Sequence, residues 1–282
     1  MRSKPYIFGL IILLQLLSSA TVQADSDPEN IALYESQSFA IGIGAAVVKF
    51  DTKMKFTDKQ SGDSVFLDPE GNLNLPELSH VMTFYGAYSF NPRHSIGLSY
   101  FKINRETTLI DFDKNFDSVR IAGNATIADK TSFYRLDYAY TIFNTATSKI
   151  MFDAGIYGLD LKLVFDAEGS ISLRDTPIAS DTIHKEAEVF APLPMIGLNI
   201  MYSFTPKWSM GTKVTFVGGS YEDVSANVLQ TSINTRYRFT QHVGLLFGLA
   251  YFDATVNIDD GVEETDITYG YNGAYIGLHF LV

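Results

Sequence analysis

The chain has 282 residues, a formal net charge of -11, 16 Tyr, 21 Phe, one Trp and no Cys. The acidic balance excludes nucleic acid as a partner, because no basic stripe is present to neutralise phosphates, and the lack of Cys excludes a disulfide scaffold. Beyond the N-terminus no segment approaches the roughly 18 uninterrupted apolar residues of a membrane helix, so the one remaining way across a bilayer is a closed barrel of mutually hydrogen-bonded strands.

Basic residues Arg2 and Lys4, an apolar run from Tyr6 to Leu17, and small residues ending in Val22-Gln23-Ala24 have the three-part layout of a secretory signal peptide over 1–24. Residues 25–37 are polar and patternless and read as a short tail. From there to the end, 38–282, no linker or composition shift appears, and one domain is expected.

Ten strand-like runs follow. The first, about 38 to 56, carries Phe39, Ile41, Ile43, Ala45 and Val47 on one face and Ala40, Gly42, Gly44 and Ala46 on the other. A long loop to Pro76 is punctuated by Asp68-Pro69-Glu70-Gly71-Asn72, a turn cluster. Runs two (78–90) and three (95–110) flank Asn91-Pro92-Arg93-His94. A loop over 111–130 leads to run four (131–143), and a short turn at Asn144 to Ser148 leads to run five (149–165). The polar stretch Asp166 to Glu188 is expected to be the longest loop. Runs six (189–204) and seven (208–221) form a hairpin about Thr205-Pro206-Lys207, with Ile196, Leu198, Ile200, Tyr202, Trp208, Met210, Val214 and Phe216 as its apolar stripe. Run eight (224–239) turns at Thr240-Gln241-His242 into run nine (243–258), and the tenth run closes the chain after Asp259 to Asp266.

The apolar parity of runs five and nine reverses part-way, from Ile150, Phe152 and Ile156 to Leu159, Leu161 and Leu163, and from Val243, Leu245, Phe247 and Leu249 to Phe252, Val256 and Ile258. Either a bulge lies there, or the strands leave the bilayer and turn their upper apolar residues inward, where they would leave room for a hydrophobic ligand.

Short turns follow runs two, four, six and eight. Longer, acidic loops follow the odd runs, the tight Tyr221-Glu222-Asp223 excepted. This layout predicts an all-β fold: a transmembrane antiparallel up-and-down β-barrel of about ten strands, within a range of about eight to twelve. A soluble barrel would also alternate, but it would not place Gly42, Gly44, Gly97, Gly155, Gly197, Gly211 and Gly277 on its solvent face. Nor would it gather Tyr88, Phe90, Tyr140, Phe143, Tyr202, Phe204, Trp208, Tyr237 and Phe239 at the short-turn ends, where a periplasmic aromatic girdle belongs.

The N-terminal leader, the turns Phe90-Asn91-Pro92-Arg93-His94 and Phe204-Thr205-Pro206-Lys207-Trp208, and the closing Tyr275-Ile276-Gly277-Leu278-His279-Phe280 together resemble small Gram-negative outer-membrane β-barrel proteins. The resemblance spans 38–282 and concerns architecture. It implies export to the cell outer membrane, contact with outer-membrane lipids and lipopolysaccharide, and recognition of a terminal aromatic by the barrel assembly machinery. Here Phe280 stands two residues before the end.

With the apolar stripe facing lipid, the lumen receives Arg135, Asp137, Asp153, Lys213, Arg236 and Arg238. Because an isolated buried charge is costly, Arg135 is expected to meet Asp137 or Asp153, and the basic trio to need acidic or water partners. Such an interior reads as a structural plug or as the constriction of a narrow pore, and a ten-stranded barrel is nearer the small filled kind. No catalytic set stands out. His94 and His242 fall in short turns, His279 in the last run and His184 in a long loop, while adjacent Ser79 and His80 point to opposite faces. Asp259, Asp260, Glu263, Glu264 and Asp266 crowd one loop, but their spacing matches no calcium-loop pattern, so they are weak metal candidates. No cofactor is expected. The functional expectation is a narrow channel or structural barrel for small solutes, not an enzyme. The alternatives are a surface-exposed binding barrel with acidic loops, a lipid- or peptide-modifying enzyme at the outer rim, or a hydrophobic-ligand carrier.

Overall fold

The computed structural model describes residues 38–116, 119–173 and 176–282. The leader over 1–24 and the tail over 25–37 lie outside the described residues. Period-two alternation becomes β1 (Phe39–Asp58), β2 (Ser64–Leu67), β3 (Leu78–Asn91), β4 (His94–Lys102), β5 (Arg105–Phe116), β6 (Val119–Asp129) and β7 (Ser132–Asn144). It continues as β8 (Ser148–Leu173), β9 (Thr176–Ser203), β10 (Trp208–Tyr221), β11 (Val224–Arg238), β12 (Val243–Asp259) and β13 (Glu263–Leu281). One helical turn, α1 (Pro69–Asn72), starts at Asp68, whose carboxylate accepts from the Gly71 amide at 2.8 Å.

Ten strands close an antiparallel barrel in the order β3-β4-β7-β8-β9-β10-β11-β12-β13-β1, with β1 returning to β3. The other three strands lie beyond this ring at the long-loop end. β2 pairs with the upper part of β1, and the β5–β6 hairpin continues β4 and β7, with β6 bonded along the upper part of β8. The four short connections share one chemistry. Asn91, Thr145, Thr205 and Thr240 each use a side-chain oxygen to accept backbone amides two or three residues on, at 2.9 to 3.3 Å. The likeness between the two Phe-x-Pro turns therefore belongs to a wider turn chemistry that the other two share without Pro.

The lower outward face is apolar: Met82, Leu249 and Ile276 are 63%, 60% and 54% exposed. On β1 it gives way upward to Lys49, Asp51, Lys53 and Lys55, which marks where the wall leaves the bilayer. β8 and β9 run for 26 and 28 residues, far beyond the roughly 9–11 that cross a bilayer.

Above that level the inward face becomes the apolar one. Through the reversals in β8 and β12 the register with both neighbours is unbroken, and the same alternate positions stay inward throughout. Of the two readings of the parity reversal, the bulge is thus excluded. Leu159, Leu161, Leu163, Phe252, Ala254 and Val256 pack with residues of the other strands into a buried core inside the upper barrel. Bulges lie elsewhere, one of them between Thr141 and Phe143, where Ile142 and Phe143 both turn outward. The stretches read as loops over 111–130 and 166–188 are mostly strand, formed by β5, β6, β8 and β9. Their alternation is of small and moderately apolar residues (Val119, Ile121, Ala125 and Ile127 in β6) against Arg120, Asn124 and Thr126, interrupted by Asp, Gly and Ser, so the stretches read as polar loops.

Candidate functional site

The lower lumen holds a cavity of about 810 Å³. Its walls include Asn144 to Ser148 and Leu281 at the short-turn end, so it reaches that rim, and Phe50, Phe101, Ile103 and Tyr271 at its upper limit. Small residues make the space. A Cβ on Gly42 would come within 2.0 Å of the Tyr85 ring, and one on Gly244 within 2.3 Å of the His279 ring, so both rings occupy room that only glycine leaves.

Of the six charged residues read as lumenal, four meet in this cavity. Arg135 Nε donates to Asp137 Oδ1 at 2.6 Å, while Lys213 Nζ lies 2.6 Å from Asp153 Oδ2 and 3.9 Å from Asp137 Oδ2. Gly97 and Gly197 on neighbouring strands give the two carboxylates space. Two cations and two anions thus form a locally neutral set, the arrangement that tolerates burial. Lys213→Met is expected to lower stability by about 3–5 kcal/mol by stranding Asp153. Urea unfolding in lipid vesicles measures this, and Lys213→Met combined with Asp153→Leu should recover much of the loss.

The other two stand apart. Arg238 donates from Nε and Nη2 to the Pro206 carbonyl at 3.1 and 2.5 Å, clamping the β9–β10 turn. Arg236 lines the cavity without a carboxylate partner among the described residues, and its Nε has no hydrogen-bond partner there.

The short-turn rim carries aromatic pairs at Tyr88–Phe90, Tyr202–Phe204, Trp208–Tyr237 and Tyr237–Phe239, with ring centroids 4.8 to 5.4 Å apart. Tyr140 sits beside His94, and Phe143 is exposed at the bulge. His94 also meets the Tyr138 hydroxyl.

Two layers of buried side chains lie across the lumen above the cavity. The first is aromatic: Phe133 stacks on Phe101 at 4.4 Å and meets Phe252 edge-on at 5.3 Å, while Phe252 stacks on Tyr271 at 4.8 Å. The second is a buried ionic cluster that sequence reasoning missed. Arg105 Nη1 donates to Glu70 Oε1 at 2.5 Å, and its Nε and Nη2 donate to Asp129 Oδ2 at 3.0 and 2.7 Å. Glu70 belongs to α1, in the connection between β1 and β3, and also accepts from the amide and hydroxyl of Thr52 at 2.9 and 2.8 Å. Buried Pro69, Leu73 and Leu75 seat the same segment in the barrel mouth. Tyr269 donates to Asp129 at 2.9 Å, and burial together with that carboxylate holds its phenol well above the ordinary value. The one sequence sign of this clasp was the turn cluster at Asp68 to Asn72; the pairing of Arg105 with Asp129 depends on the β5–β6 register.

The acidic loop is otherwise engaged. Asp259 pairs with Lys59 at 2.5 Å and accepts from the Gly261 amide, and Asp260 accepts from the amides of Val262 and Glu263. Glu264 and Asp266 both accept from Asn257 at 2.8 Å. Among the described residues no three His, Asp or Glu gather to hold a metal. Ser79 faces inward and His80 outward on β3, His242 meets the Leu281 carbonyl, and the His184 side chain lies outside the described residues.

Barrel closure, the lipid-facing apolar band and the polar lumen define an outer-membrane β-barrel, with the architecture of the small Gram-negative outer-membrane barrels. No protein-family model matches the chain, and no curated protein matches it. Among solved structures it resembles the outer membrane protease OmpT of Escherichia coli, with a TM-score of 0.53 and 13% identity over 88% of this chain and 99% of that one. It is also similar to the outer membrane protein OprG of Pseudomonas aeruginosa (TM-score 0.36, 14% identity, 88% and 98% covered). A third is Ail, the attachment invasion locus protein of Yersinia pestis (0.27, 6%, 85% and 99%). At these identities the likeness is one of fold alone.

Proposed function

We propose that this protein is a closed outer-membrane barrel: a structural barrel whose lumen is a small-solute chamber open to the periplasm and shut toward the outside. The supporting observation is the pair of barriers, one aromatic and one ionic, stacked above a cavity of about 810 Å³ that reaches the short-turn rim. Short turns face the periplasm in barrels of this kind, which gives the chamber its orientation. On this reading the chain is exported by its N-terminal leader and inserted by the barrel assembly machinery. Its partners in place are outer-membrane lipids and lipopolysaccharide, and its role is not enzymatic. Planar-bilayer recording tests the reading: the purified, folded protein is expected to insert without a steady current. A stable ohmic pore in most insertions would refute it.

A further inference from the structure

Resting on the periplasm-facing chamber proposed above, we infer that the chamber binds a small amphiphilic anion, its acidic head held by Arg236 and its apolar body against the upper wall. The lower lumen carries an uneven balance. Arg135 and Lys213 are neutralised by Asp137 and Asp153, whereas Arg236 faces no carboxylate of the described residues. Tyr85 and Tyr275 line the same cavity and supply hydroxyls without formal charge. Asn234 Oδ1 and His279 Nδ1 are buried without hydrogen-bond partners among the described residues.

Arg236 is half-buried in the wall of this chamber and no carboxylate of the described residues neutralises it, so its charge is free to meet an anion that enters from the mouth. The planar fork of Arg suits a carboxylate or a phosphate head through two parallel hydrogen bonds. Leu246 lies directly across the sheet from Arg236, and Ala250, Phe50 and Phe101 continue the apolar wall deeper into the cavity. A volume of about 810 Å³ falls in the range of sites that enclose a small organic ligand. A polar head near the mouth with an apolar body above it therefore matches the order of the lining.

Titration calorimetry on the full barrel in lipid nanodiscs tests this with octanoate, octyl phosphate and octylammonium. Partition into lipid is common to all variants and cancels in their comparison. The wild type is expected to bind octanoate or octyl phosphate saturably at one site, the preferred one identifying the head, and to leave octylammonium unbound. Arg236→Gln should weaken that binding at least tenfold and Arg236→Lys less. Arg93→Gln, in an exposed turn, should bind as the wild type does. Equal binding of the anionic and cationic chains, or an Arg236→Gln variant that binds like wild type, overturns the inference. The first readout needs no variant and so does not depend on how a variant folds. A steady bilayer current sinks the closed chamber, whereas a silent barrel that does not distinguish the two charges sinks the anion site alone.

Discussion

Arg105→Ala is expected to destabilise the barrel by about 3–5 kcal/mol, the range for removing one partner of a buried ion pair. The side chains of Arg105, Glu70 and Asp129 are 1%, 6% and 0% exposed, so the two carboxylates left behind have no access to bulk water. The same guanidinium lies 4.0 Å above the Phe50 ring and donates to Thr52 and to the Pro76 carbonyl, so the loss includes packing as well as charge. Arg105→Lys keeps the charge and loses the fork, and is expected to lose less, on the order of the 1.5–3 kcal/mol of charged hydrogen bonds. Urea unfolding in vesicles measures both. Limited proteolysis provides a local readout, because Glu70 anchors the β1–β3 connection and its release should expose residues 59–77 to cleavage. A loss below about 1 kcal/mol would place the cluster with solvated surface pairs and end its role as a clasp.

The second large effect is at the aromatic barrier. Phe133 is 1% exposed and touches Phe101, Tyr157, Phe252 and Tyr269, so Phe133→Ala is expected to cost about 3–5 kcal/mol. The barrel should nevertheless stay silent in a bilayer. The void would be walled by rings and stay dry, since an apolar cavity offers water no partners. The ionic cluster would still close the lumen above it. A combined Phe133→Ser and Arg105→Ala variant breaches both barriers with polar or missing side chains and should conduct where neither single variant does. Current from Phe133→Ala alone would show that the aromatic layer is the sole seal, and the two-barrier account would fall.

The parts of the fold legible in the sequence are those where the bilayer dictates residue type. Along the hairpin from Ile196 to Phe216, lipid requires apolar side chains outward, and the narrow lumen requires small or paired ones inward, so alternation and chemistry agree. The short turns were readable because Asn91, Thr145, Thr205 and Thr240 are residues that close turns with their own side chains. Legibility faded above the bilayer. In β5, β6 and the upper parts of β8 and β9 the outer solvent is water, and a strand there reads as a polar loop. In the lumen, Asp137 was a foreseeable partner of Arg135 because the two are alternate residues on one strand. That Lys213 rather than Arg236 reaches Asp153 depends on where β10 and β11 stand around the ring.

By itself the sequence determined a barrel of about ten strands, its outward apolar stripe and the short-turn end where aromatic residues gather, and of the charges inside it showed Arg135, Asp137, Asp153 and Lys213 but not Arg105, Glu70 and Asp129. These follow from local rules: a period of two, turn chemistry within four residues, and the cost of charge in hydrocarbon. The tertiary structure alone decided that an aromatic layer and an ionic cluster fill the upper barrel while a cavity remains below. Glu70 and Arg105 are 35 residues apart in the chain, and Asp129 and Tyr269 are 140 apart. Contacts at that range are fixed by register and by closure of the ring, which bring strands of unrelated sequence position to the same height, and no local pattern encodes them. The same closure leaves Arg236 without a carboxylate among the described residues and sets the small residues of β1, β12 and β13 where a chamber remains.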